Sequence, residues 1–217
     1  PREEQIPGER LVRGARIKAY LYSVEDGPRG ISLKLSRSHP KLIEALFASE
    51  APEVASGTVE IQSIAREPGS RTKIAVSSTD EHVDPVGSCV GQKGIRVTTV
   101  MSELGNEKID IIPWSADPQE YVSNALSPAR VMNIEIDEAE HKAVVEVLDD
   151  QLSLAIGKGG QNVRLAAKLT GWKIDIVEAS EDGEKKVADS EEGAAATNEG
   201  ADSASDSSLD EGQSEPG

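Results

Sequence analysis

The stretch Ala155-Ile156-Gly157-Lys158-Gly159-Gly160-Gln161-Asn162-Val163-Arg164 decides how the rest of the chain is read. An apolar segment runs into Gly-x-x-Gly, and a basic segment with helical spacing runs out. The same design occurs earlier as Cys89-Val90-Gly91-Gln92-Lys93-Gly94-Ile95-Arg96-Val97. Both glycine positions repeat at an offset of 66, Gly91 to Gly157 and Gly94 to Gly160. Val97, Val100, Met101 and Leu104 then fall on one stripe of a helix, and Val163, Ala166, Ala167 and Thr170 follow 66 residues later. Lys108-Ile109-Asp110-Ile111 and Lys173-Ile174-Asp175-Ile176 close the two units as strands, now at an offset of 65. An offset that holds across loop, helix and strand is an internal repeat.

Outward from the loops, each unit has the same order. Leu42, Ile43, Leu46 and Phe47 mark a helix over residues 39–50, with Pro40 in its first turn and Ser38 as its cap. Val54 to Gly57 read as a loop. Residues 58–65 and 72–77 alternate as strands, and Asp84-Pro85 starts a short helix into the first glycine loop. Gly105-Asn106 ends the helix after it. In the second unit, Asp117 caps a helix to Leu126, residues 131–137 and 142–148 are strands, residues 151–156 a short helix, and Gly171 ends the last helix. The prediction is an α+β protein with units at 39–115 and 116–179, each α-β-β-α-α-β.

Residues 1–38 read as β structure, with strands at Gly14–Ser23 and Gly30–Ser36 around a turn at 25–29. Two strands bury no core. The segment is either a hairpin docked on the neighbouring unit or the end of a larger domain. Gly27-Pro28-Arg29-Gly30 also matches Gly-x-x-Gly, but it lies between strands and precedes no helix. It is a hairpin turn, and it shows that the bare pattern is weak.

The net charge of −16 speaks against nucleic acid until it is located. Residues 180–217 hold 12 acidic and 2 basic side chains, a net of −10, which leaves −6 on the rest. With almost no large apolar residue, this tail is expected to be disordered. Residues 151–174 contain Lys158, Arg164, Lys168 and Lys173 and no acid, and 85–102 contain Lys93 and Arg96 and no acid. A locally positive field at both loops follows. Aromatics are only 3 %, too few for a surface of base-stacking rings. No apolar run approaches the roughly 18 residues of a membrane span, and no secretory signal is present. The single cysteine, Cys89, makes no internal disulfide, which suits a reducing cytosol. The chain opens on Pro1 and not on methionine, as expected of a fragment or a processed product.

A helix N-terminus presents unpaired amide N–H groups and a partial positive charge to a phosphate. Glycines at the ends of a four-residue loop allow positive φ and clear the way for a sugar-phosphate backbone. The candidate RNA-binding residues are therefore Val90, Gly91, Gln92, Lys93, Gly94 and Arg96 in the first unit. In the second they are Ile156, Gly157, Lys158, Gly159, Gly160, Gln161, Asn162, Arg164 and Lys168. Val90, Ile156, Val97 and Val163 are candidates for a groove floor beneath the bases. A P-loop is excluded by spacing and by the missing Lys-Ser/Thr end. His39, His82 and His141 are scattered, and no His/Cys cluster has metal-ligand spacing. Neither catalysis nor a cofactor is expected. Trp172 is expected to pack in the core or between repeats.

A helix–GxxG–helix in an α-β-β-α-α-β unit resembles the type II KH domain. The likeness is closer in Val83-Asp84-Pro85-Val86-Gly87-Ser88-Cys89-Val90-Gly91-Gln92-Lys93-Gly94, in Glu103-Leu104-Gly105-Asn106-Glu107-Lys108-Ile109-Asp110-Ile111, in Asn124-Ala125-Leu126-Ser127-Pro128-Ala129 and in Ala155 to Arg164. Together these are similar to the bacterial transcription elongation and termination factor family NusA, over about residues 10–178. The resemblance implies tandem type II KH domains preceded by a partial OB-fold β segment at 1–38. It implies binding of single-stranded RNA, a role in transcription termination and antitermination, and no enzymatic activity. It also implies RNA polymerase and other transcription factors as partners of the full-length protein, no membrane association, a monomer and a cytoplasmic location. The alternative is a non-catalytic protein-interaction scaffold with degenerate KH units and an acidic tail that engages basic partners.

Overall fold

The computed structural model describes residues 1–28 and 30–179, and the backbone of Lys186–Val187. In the first unit, helix α1 (Pro40–Glu50) buries Leu42, Ile43, Leu46 and Phe47, the face expected from their spacing. Its cap is His39 and not Ser38: His39 Nδ1 accepts from the Lys41 amide at 3.1 Å. The Ser38 hydroxyl is turned away to donate to Glu4. Val54 and Ala55, expected in a loop over 54–57, end a one-turn helix, α2 (Pro52–Ala55), started by its proline. Strands β3 (Val59–Glu67) and β4 (Arg71–Ser78) pair antiparallel, and β4 pairs parallel with β5 (Lys108–Pro113). Helices α3 (Pro85–Val90) and α4 (Ile95–Glu103) bracket the first glycine loop, with Asp84 capping α3. Val59, Ile74, Val76, Cys89, Val100 and Leu104 complete this core with α1.

The second unit repeats the order. Helix α5 (Pro118–Ala125), capped by Asp117, precedes strands β6 (Asn133–Asp137) and β7 (Lys142–Val147). Helices α6 (Asp149–Ile156) and α7 (Gln161–Thr170) bracket the second loop, and β8 (Lys173–Glu178) pairs parallel with β7. Ala143, Val145 and Val147 alternate inward on β7, as a half-buried strand requires.

The stripe expected on α7 is displaced by one residue. The buried positions are Asn162, Leu165, Ala166 and Leu169, while Val163, Ala167 and Thr170 are half-buried. The cause is tertiary. Helix α7 packs on its own unit and also against β3 and β4 of the first, so its covered arc is wider than in α4. Ala65, Ala75 and Ile112 of the first sheet belong to the second unit's core. Ser63 donates to Leu169 O at 2.8 Å, and the buried Lys73 ammonium donates to Ser127 O at 2.8 Å. Burial pulls the Lys73 pKa below the usual lysine value, against the pull of Asp110. The two repeats therefore share one seam.

In the N-terminal segment, β1 (Tyr20–Gly27) pairs antiparallel with β2 (Gly30–Ser36). The first strand begins not at Gly14 but at Tyr20, where its ladder with β2 starts opposite Ser36. It runs on to Gly27, paired with Gly30, so residues 25–27, expected as turn, are strand. Arg37, only 5 % exposed, ties this segment to the first unit. It ion-pairs with Glu9 and donates to Lys18 O at 2.5 Å and to Glu103 O at 2.8 Å. Leu21, Val24, Ile31, Leu33 and Leu35 remain exposed on the hairpin.

The expected disorder of 180–217 concerns residues outside those described, apart from Lys186–Val187. That pair forms a two-residue strand, β9, antiparallel to β8. An open sheet edge offers unpaired backbone groups to any nearby chain.

Candidate nucleic-acid interface

The two glycine loops have nearly the same backbone. Helix α3 stops at Gly91 (φ 74°, ψ 172°), and α6 stops at Gly157 (φ 75°, ψ 174°). The third loop residue is left-handed in both, Lys93 at φ 53° and Gly159 at φ 58°. Gly94 and Gly160 follow at φ 76° and 71°, and the next helix begins. Each loop thus delivers a fresh helix N-terminus at an exposed surface.

At the first glycine, space as well as φ excludes a side chain. A Cβ on Gly157 would lie 2.8 Å from the Asn162 backbone nitrogen, and one on Gly91 would lie 2.7 Å from the Arg96 side chain. At Gly159 a Cβ meets nothing within 4 Å. Gly157→Ala therefore combines strain with overpacking and is expected to cost about 2–3 kcal/mol. Gly159→Ala should cost only about 1 kcal/mol, from φ alone. Urea denaturation of the two variants checks the difference.

The residues placed against these first glycines act as clasps. Arg96 donates to Ser88 O at 2.6 Å, and Asn162 donates to Leu154 O at 3.0 Å and Ala155 O at 3.2 Å. Ser88 and Leu154 are again 66 apart, as are Arg96 and Asn162. Each clasp ties the new helix to open carbonyls at the end of the old one. Asn162, expected to face RNA, is 4 % exposed and points inward, donating also to Leu126 O at 2.9 Å.

The absence of opposing carboxylates, true of the local sequence, does not hold in three dimensions. Glu53 of α2 pairs with Arg96 at 2.9 Å. Glu67 at the end of β3 pairs with Arg164 at 2.7 Å and accepts from Gln161 at 2.7 Å. Gln161 also reaches Ser70 Oγ at 2.7 Å, and Arg164 donates to Gly159 O at 3.0 Å. A backbone hydrogen bond, with Arg96 assisting, holds the Glu53 carboxyl below its usual range. Burial raises the Glu67 carboxyl, but its bonds to Arg164 and Gln161 outweigh this and lower it. Among the described residues, Lys93, Lys158 and Lys168 are exposed and make no ion pair. The cations free to meet phosphate are these lysines, while Arg96 and Arg164 are already engaged.

Beside the first loop lies an open groove of about 630 Å³, bordered by Val83, Asp84, Gly91, Gln92 and Ile95. Ile95, 65 % exposed, presents an apolar surface next to the loop. The expected floor residues are half-buried: Val90 at the end of α3, Val97 against the first core, and Ile156 and Val163 against the second. Ile95, Glu53 and Glu67 were not expected at the site. Only Ile95 had a local signal, an apolar residue directly after the loop.

The remaining candidates for chemistry have structural placements. His39 caps α1, and His141 stacks on Trp172 with ring centroids 3.9 Å apart. Trp172 is 9 % exposed, in the core as expected. Burial pushes the Cys89 thiol up to about 11, far from a reactive thiolate. Among the described residues no His/Cys/Asp/Glu group could hold a metal, and no helix is long and apolar enough to cross a membrane.

Two α-β-β-α-α-β units, each with a GxxG loop between consecutive helices, define a tandem type II KH protein. The model of the NusA-like first KH domain matches residues 37–114, and that of the NusA-like second KH domain matches 118–184. The chain belongs to the NusA family. It is similar to the transcription termination/antitermination protein NusA of Thermus thermophilus, 57% identical over 179 residues, or 82% of this chain and 46% of that protein. The proteins of the same name in Halalkalibacterium halodurans and Bacillus subtilis are each 55% identical, covering 83% and 81% of this chain and 47% of their own length. The chain spans about half the length of the curated relatives it matches.

Proposed function

We propose that this chain is the RNA-binding part of a transcription termination/antitermination factor, and that its two GxxG loops grip one single strand of RNA. The observation that carries this is the pair of loops with matching dihedrals, each ending in a helix N-terminus and each holding an exposed lysine. Phosphates dock on the amides of α4 and α7 beside Lys93 and Lys158, while Lys168 extends the basic surface along α7. Bases lie along Ile95 and the neighbouring groove. The two domains, 39–115 and 116–179, act as one block through their shared seam, with the hairpin segment 1–38 beside them. The chain works as a cytoplasmic monomer, without cofactor or catalysis, and meets RNA polymerase as part of the full-length protein.

A salt titration of RNA binding tests this. Single-stranded RNA gives a slope of log K against log[salt] of about −0.7 per phosphate neutralised, so three lysines predict about −2. Binding that is absent, or flat in salt, removes the reading and leaves the KH units as protein-interaction spacers.

A further inference from the structure

We infer that Glu67, from the first KH unit, is an affinity-limiting residue of the second GxxG loop: its carboxylate masks Arg164, which would otherwise bind RNA phosphate. This rests on the RNA-binding reading above. Arg164 leaves the exposed face of α7, one turn beyond the loop, and its guanidinium reaches back to Gly159 O at 3.0 Å. It thus lies beside the amides that cradle a phosphate. Its Nε is occupied by Glu67 at 2.7 Å, across 97 residues of sequence. A phosphate at this loop meets a neutralised pair instead of a cation.

The opposite role, a strut that shapes the loop, is disfavoured by the molecule's own repeat. The first loop takes the same dihedrals with Thr98 at the position corresponding to Arg164, and its carboxylate, Glu53, meets Arg96 two residues earlier. The seam does not depend on Glu67 either. Ala65, Ala75 and Ile112 lie in the second core, and Ser63 and Lys73 bond across at 2.8 Å each. Removing the carboxylate therefore leaves loop and seam in place and frees one cation. Arg96 is no counterpart, because Ser88 O and the close approach to Gly91 already fix it as a clasp.

The test is Glu67→Gln in the full chain, with Glu67→Ala as a second variant, titrated against an end-labelled, unstructured, mixed-sequence single-stranded RNA by fluorescence anisotropy. Both variants should bind about two- to fivefold more tightly than the parent. The salt slope should steepen by about 0.7. Adding Arg164→Gln to Glu67→Gln should abolish the gain. Equal or weaker binding by variants with unchanged circular dichroism overturns the mask, while RNA binding by the parent keeps the broader reading. A parent chain that does not bind RNA at any salt removes both.

Discussion

A chain carrying Gln92→Asp, Lys93→Asp, Lys158→Asp and Gly159→Asp together is expected to lose at least about a hundredfold in affinity for single-stranded RNA. Two lysines that face phosphate are removed, and each charge-assisted contact is worth about 1.5–3 kcal/mol. Four carboxylates then stand where the backbone must approach. The fold should survive, because all four positions are exposed. Asparagine and aspartate also tolerate the left-handed conformation of positions 93 and 159 better than other side chains. Far-UV circular dichroism and a thermal transition within a few degrees of the parent would establish that. The single-loop variants carry further information. If one strand crosses both loops, binding at the second is effectively intramolecular, and losing either loop removes the avidity of the pair. Each single-loop variant should then lose tenfold or more. A folded quadruple variant with parental affinity ends the RNA-clamp reading.

How much of this was legible in the sequence depends on distance along the chain. The repeat was legible because loop, helix and strand keep their spacing, and the caps Asp84 and Asp117 act within two residues of themselves. The partners of the loop arginines were not. Glu53 meets Arg96 across 43 residues and Glu67 meets Arg164 across 97, so acid-free windows around each loop said nothing about its true electrostatics. The clasp role of Asn162 was hidden for a similar reason. Its position matches Arg96, and a short amide with a long cation as its counterpart suggests no shared duty until both are seen donating to carbonyls. Helix α7 showed a tertiary override of periodicity: a second sheet against its flank widened the buried arc. Histidine lies outside the usual capping set of Ser, Thr, Asp and Asn, so the cap of α1 was assigned to Ser38, one residue early.

Glu107→Ala is expected to be the most damaging single change to stability, at about 3–5 kcal/mol. Glu107 is fully buried between α4 and β5, and its carboxylate takes both Nε and Nη2 of Arg66 at 2.9 Å. It also accepts from the Gly69 amide at 2.8 Å and from the Thr72 hydroxyl. The Arg66 side chain is 1 % exposed and donates onward to His39 O at 3.1 Å. Removing the carboxylate leaves a buried, unpaired guanidinium away from water, and it leaves the β3–β4 turn without its central acceptor. That turn joins β3 to β4, the strands whose Ser63 and Lys73 bond across the seam. The damage should therefore spread from the first core to the seam. Urea denaturation measures the loss directly. The double variant Arg66→Met, Glu107→Met removes both charges and should be clearly more stable than Glu107→Ala, because the dominant cost is the unpaired ion and not the absent bond. If Glu107→Ala loses under about 1 kcal/mol, the pair behaves as a surface ion pair does, and the β3–β4 turn is held by its strands alone.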